Sequence, residues 1–280
     1  MIEWLLAPLA YGFMQRGLLA AVLVGILCAV IGCYVVLRSM AFLGDALAHA
    51  ILPGVAVAYL LNGNLTLGAL AAALIVALGI GAFSRQGAIK EDTAIGIMFA
   101  AALSLGIVLI SSIKTYAVDL THILFGNVLG VSPADLWLTA GLSVFILGAV
   151  AALYRPFLVI SFDPVLAATL RLPAELLRYA MLILLALTVV VSMQTVGVGL
   201  VAAMLVTPAA AAYLLTRRLR MMMIVAAVIG AFSSLAGLYL SYSLNVASGA
   251  AIILTATIIF ILVFLFAPQR GVAWSYWRRS

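Results

Sequence analysis

The chain is a succession of apolar runs, each close to 20 residues long, separated by short segments that hold most of its charged residues. About 20 helical residues cross a hydrocarbon core of about 30 Å. The runs fall near 17–37, 40–61, 65–84, 93–113, 136–154, 179–197, 199–216, 221–243 and 249–267. This pattern predicts an all-α fold, a polytopic membrane helix bundle of eight or nine transmembrane helices. Its least defined boundaries are the ends of 40–61 and the Gly197-Val198-Gly199 turn.

Composition agrees with the pattern. Hydrophobic residues make up 68% of the 280, charged residues only 8%, and mean hydropathy is +1.35, whereas soluble domains are near half apolar and a quarter charged. No run is left over for a soluble domain. The expected organisation is an N-terminal interfacial segment at 1–16, a transmembrane domain at 17–267 and a tail at 268–280. Met1-Ile2-Glu3-Trp4 has no basic region and no small-residue cleavage site follows, so no cleaved signal peptide is expected.

The net charge of +6 raises the question of a polyanionic partner, but the basic residues sit at the ends of the runs. That placement speaks for a lipid bilayer and against nucleic acid. Twelve of the fourteen Lys and Arg share one side of the predicted bundle; Arg16 and Lys114 alone fall on the other. The positive-inside rule puts the richer side, and with it the C-terminus, in the cytoplasm. Cys28 and Cys33 both lie within the first span and read as small packing residues rather than a disulfide or metal pair.

Against this apolar background Asp45 and His49 stand out, four residues apart within the second span. Positions i and i+4 share a helix face about 6 Å apart, so one cation could touch the carboxylate and the imidazole together. An ionised Asp deep in a bilayer costs at least about 2.5 kcal/mol. A polar pair between membrane helices returns only about 0.6 kcal/mol on average, so packing alone is the weaker explanation for Asp45 and His49. Pro53 and Gly54 follow directly and would loosen the helix, freeing nearby carbonyls; the other reading of that dipeptide is an ordinary kink.

The segment 155–178 is the longest on the basic side. Asp163 at an N-cap position, Pro164 at the first helical position and Pro173 beyond the end predict a short helix over about 163–172, parallel to the membrane. Its apolar face of Val165, Leu166, Thr169 and Leu172 either anchors the interface or docks into a groove of a cytosolic partner. No phosphate-binding loop, zinc-protease motif or nucleophile elbow is present, so the chain is not an enzyme and cannot hydrolyse ATP by itself. Asp119 and His122, in the loop on the other side, form either a metal contact or an ordinary solvated pair.

At this point the residues resemble a known family. The run from Met40 to Gly54, with its Asp-x-x-x-His-x-x-x-Pro-Gly core, is similar to the signature of zinc/manganese/iron ABC-transporter permeases. Phe125 to Gly130 resembles that family's external segment and Phe162-Asp163-Pro164 to Pro173 its coupling helix. Gln194 to Gly197 and Leu205 to Ala209 resemble its late spans. Two positions depart from the pattern: Val165 stands where the family commonly has Glu, and Arg171 where Gly is frequent.

The resemblance implies a permease subunit in a bacterial plasma (inner) membrane. A cytosolic ATP-binding subunit would use the ATP, and an extracytoplasmic metal-binding protein would deliver the ion. It places the transported metal on Asp45 and His49, and the ATPase contact on Asp163, Pro164, Val165, Leu166, Thr169, Leu170 and Leu172. Pro53, Gly54, Gly197, Gly199 and Pro208 become the candidate hinges. No permanently bound cofactor is expected. One Asp and one His are too few to replace a hydration shell, so a homodimer with the site on its axis is expected. Mixed nitrogen and oxygen donors suit manganese, zinc or iron, and the lack of a thiolate disfavours copper(I). The competing readings are a permease for a metal chelate or vitamin, which would need a wider aromatic or basic cavity, and a passive ion channel, which would need no coupling helix.

Overall fold

The computed structural model describes residues 10–85, 89–112, 128–162 and 164–267, and among them every regular element is helical. In chain order these are α1 (Gly12–Leu37), α2 (Ala41–Leu60), α3 (Leu65–Phe83), α4 (Glu91–Ser111), α5 (Pro133–Ala152), α6 (Tyr154–Phe162), α7 (Pro164–Thr169), α8 (Ala174–Val196), α9 (Val198–Leu215), α10 (Leu219–Leu244) and α11 (Ser248–Phe266), with a 3₁₀ turn at Val128–Gly130 before α5. Eight helices among the described residues are long and apolar enough to cross a membrane, and α9 adds a shorter apolar one. Asp119, His122 and the first half of the external segment, 125–127, lie outside the described residues, as do 1–9 and the 268–280 tail.

Helix boundaries follow local chemistry. Asn64 caps α3, its side chain accepting from the Thr66 and Leu67 amides, and Ser132 and Asp135 cap α5 reciprocally with Pro133 at its first position. Two helices start earlier than hydropathy suggests: α1 at Gly12, so that Arg16 lies within it, and α8 at Ala174 rather than 179. The segment 155–178 is thus almost wholly helical, being made of α6, α7 and the first turn of α8.

The most buried helix is α1, which packs on α5, α8, α9 and α10, while α2 packs on α3, α4 and α9. The α2–α3 crossing is among the tightest fits described. A Cβ on Gly54 would collide with the Gly68 carbonyl oxygen and lie 2.6 Å from the Ala72 methyl; a Cβ on Gly68 would collide with the Gly54 carbonyl oxygen and lie 2.6 Å from that of Ala58. Each helix therefore offers a Gly-x-x-x-Ala stripe to the other, the small-residue geometry by which membrane helices approach closely. Cys28 and Cys33 are free and buried. The Ser192 hydroxyl donates to the Thr188 carbonyl, so the Cys28 thiol donates to Ser192 Oγ at 3.0 Å.

The charged ends gather as the alternation of span directions requires. Arg38 after α1 pairs with Glu91 at the start of α4 at 2.9 Å. Burial lowers the Arg38 guanidinium from its ordinary value, with Glu91 pulling the other way. Arg178 of α8 donates to the Gly81 and Ser84 carbonyls that end α3, at 2.6 and 3.2 Å. Arg85 meets Glu175 at 3.3 Å. One end of the bundle is thus laced together by contacts between residues 53 to 97 positions apart.

Candidate functional site

Asp45 and His49 lie in the first half of α2, about 6 and 12 Å along the axis from Ala41 at 1.5 Å per residue. Asp45 therefore sits nearer the end marked by Arg38 and Glu91, and His49 close to the centre of the span. Most of the helix around them is buried, yet their side chains are 35% and 26% exposed. The pair opens onto a face of the chain, between the exposed Phe42 and Val57.

The local geometry fixes the imidazole. His49 Nδ1 is 3.0 Å from the Asp45 backbone carbonyl oxygen and 3.5 Å from Asp45 Oδ1. A carbonyl can only accept, so Nδ1 carries the proton in the neutral ring and the lone pair belongs to Nε2. That is how metal-binding histidines are commonly oriented, with one ring nitrogen held by an acceptor and the other left as the ligand. Pro53, four residues on, has no N–H to give the His49 carbonyl, which adds an oxygen without its helical donor beside the pair.

Phe99 of α4 was not singled out by its sequence context, and it shapes the site. Its ring stands edge-on to His49, 5.6 Å between centroids, and edge-on to Phe42 at 5.5 Å. These contacts hold one side of the imidazole against apolar surface. On the other flank, a Cβ on Gly44 would be 3.0 Å from the Leu205 side chain and 3.5 Å from Ala202 Cα, so α9 lies against the turn that carries Asp45. Among the described residues no group of three or more His, Cys, Asp or Glu could hold a metal. Among the described residues the site thus has the two donor side chains of Asp45 and His49.

The candidate hinges separate into types. Pro53 and Pro208 each lie inside a continuous helix, α2 and α9. Gly54 is spent on the α2–α3 contact. Gly197 alone has a backbone that an L-residue resists, at φ 88°, and it forms the whole joint between α8 and α9. Gly199 is in the first turn of α9.

The expected docking face is altered by how α7 ends. Arg171 adopts the left-handed conformation, φ 53°, and the Leu172 amide bonds back to the Ala167 carbonyl at 3.0 Å, a Schellman-type stop. The chain reverses there, so Leu172 packs towards the core rather than joining an exposed face. The exposed apolar residues are Phe162, Leu166 and Leu170, and Thr169 is tied to the Leu166 carbonyl. Asp163 and the side chains of Pro164 and Val165 lie outside what is described.

Comparison with known proteins gives a consistent picture. Residues 10–267 match the model of the ABC 3 transport family. The manganese transport system membrane protein MntC of Halalkalibacterium halodurans is 50% identical, over 96% of this chain and 92% of that protein. A probable iron transport system membrane protein of Haemophilus influenzae is 43% identical over 96% of this chain and 99% of its own length. Among solved structures, PsaBC from Streptococcus pneumoniae in complex with a Fab superposes with a TM-score of 0.85 at 40% identity, covering 96% of this chain and 98% of that one.

Proposed function

Because the chain belongs to the ABC 3 transport family, we propose that it is the permease of an ATP-driven importer of a divalent transition metal, with manganese its first substrate and zinc or iron the competitors. The observation that carries this reading is the Asp45–His49 geometry, in which Nδ1 is occupied, Nε2 keeps its lone pair, and both side chains are partly exposed on a largely buried helix. Two copies meeting at this pair would bring two carboxylates and two imidazoles to one ion. Manganese and zinc both accept such donors. Zinc normally binds them more tightly, so preference between the two has to come from site geometry and from the protein that delivers the ion.

The rest of the machine is supplied by others. A separate ATP-binding subunit docks on Phe162, Leu166 and Leu170, and an extracytoplasmic metal-binding protein delivers the ion at the opposite end. The permease lies in the bacterial plasma membrane with its C-terminus in the cytoplasm, and it rocks between states open to one side at a time. The test is uptake of Mn²⁺, Zn²⁺ and Fe²⁺ by cells carrying this chain with its ATP-binding and metal-binding partners, compared with Asp45→Ala and His49→Ala. Loss of uptake of one metal in both variants, with the complex still assembled, is the expected result. Uptake indifferent to both would return the pair to a packing role. Leu166→Asp with Leu170→Asp should separately abolish co-purification of the ATP-binding subunit; a complex that survives both would remove α7 from the coupling path.

A further inference from the structure

A second feature lies away from the Asp45–His49 face. Helices α5 and α10 both pack on α1, and between them runs a groove of about 550 Å³ whose floor is Val30 of α1. Its walls are apolar, Leu147 and Val150 from α5 and Met223 and Ile224 from α10. Its mouth is different. Tyr154 and Arg155, just past the end of α5, and Arg220, in the first turn of α10, line the same cavity. Both arginines are exposed, and neither forms an ion pair among the described residues.

The dimensions suit a lipid. From Val30 to Arg38, where the helix reaches the basic end of the bundle, is about 12 Å of helix, most of the roughly 15 Å hydrocarbon depth of one leaflet. Arginines at such a level keep their stems on apolar surface and their guanidinium groups among headgroups. Basic pockets between spans on the cytoplasmic side attract anionic headgroups, and a guanidinium pairs with phosphate in a fixed fork. We propose that the α5–α10 groove is a binding site for one anionic phospholipid, its phosphate between Arg155 and Arg220 and an acyl chain along Val30, Val150 and Met223. The larger groove of about 640 Å³ beside α2, α3 and α4, lined by residues such as Val57, Leu67 and Leu105, has no charged residue among the described residues that line it. It therefore offers nothing that selects a headgroup, and serves as an internal control.

The experiment uses the full chain in phosphatidylcholine nanodiscs doped with phosphatidylglycerol, with bound lipid identified by native mass spectrometry. Wild type should retain phosphatidylglycerol in preference to phosphatidylcholine. Arg155→Gln and Arg220→Gln should each weaken that preference on the order of fivefold, whereas Arg155→Lys with Arg220→Lys, which keeps both charges and controls for folding, should retain most of it. Ala151→Trp, which fills the groove, should remove the bound lipid whatever its headgroup. Equal retention of the two lipids by wild type, or a double glutamine variant as selective as wild type, would overturn the proposal. So would a photo-crosslinker at Leu147 that captures a second copy or another protein in place of lipid.

Discussion

His49 donates from Nδ1 to the Asp45 backbone carbonyl at 3.0 Å while Asp45 Oδ1 lies 3.5 Å from the same nitrogen. Ring orientation and carboxylate therefore come from one residue but from different atoms of it. Asp45→Asn should leave the imidazole in place, since the carbonyl remains, yet remove an anionic donor. We expect metal uptake to fall at least tenfold, with unchanged co-purification of the ATP-binding subunit, and uptake within twofold of wild type would show that the carboxylate is not a ligand.

Phe99 supports the imidazole through an edge contact worth about 0.5–1.5 kcal/mol. Phe99→Leu keeps the apolar volume and loses that contact. The apparent KM for the metal should rise about 2- to 10-fold with the maximal rate little changed. A fall in maximal rate at constant KM would assign Phe99 to the movement of α4 instead.

The α2–α3 crossing has no room for a methyl group at Gly54 or Gly68. Overpacking of this kind costs about 1–3 kcal/mol. Gly54→Ala and Gly68→Ala should each lower the melting temperature of the purified protein by several degrees, at about 2–4 °C per kcal/mol. Because the two sites share one contact, the double variant should lose less than the sum. Full additivity would mean that the helices do not meet there.

Arg38 and Glu91 are partly buried, with side chains 14% and 23% exposed. Glu91→Gln strands the guanidinium, and breaking a buried pair costs about 3–5 kcal/mol; partial exposure brings the expectation down to about 1–3 kcal/mol. Replacing both, as Arg38→Met with Glu91→Leu, should recover most of that loss. Thermal unfolding followed by tryptophan fluorescence reads both outcomes, and a double variant less stable than Glu91→Gln would contradict the account.

Spans were legible because bilayer thickness sets the length of an apolar run, and the Asp45–His49 pair was legible because charge is costly inside one. Helix starts were read late where charge lies within a helix: Arg178 is neutralised in effect by the carbonyls that end α3, a contact 94 to 97 positions away along the chain. Phe99 carries no local mark that separates it from an exposed Phe such as Phe232, because its role depends on which helix lies beside α4. The core-ward packing of Leu172 is hidden from the sequence for a related reason. Helical periodicity runs on across Arg171, whereas the left-handed turn there reverses the chain.

Gly197 has a mechanical consequence. The chain passes from α8 into α9 through that single buried residue, and a linkage of one residue has no slack. Any displacement that α7 hands to α8 must be absorbed by rotation at Gly197 or delivered to α9, whose Ala202 and Leu205 abut the turn bearing Asp45. The route from α7 to the Asp45–His49 pair is therefore a rigid rod, one swivel and a second rod packed against α2, and a bulky side chain at the swivel would seize it.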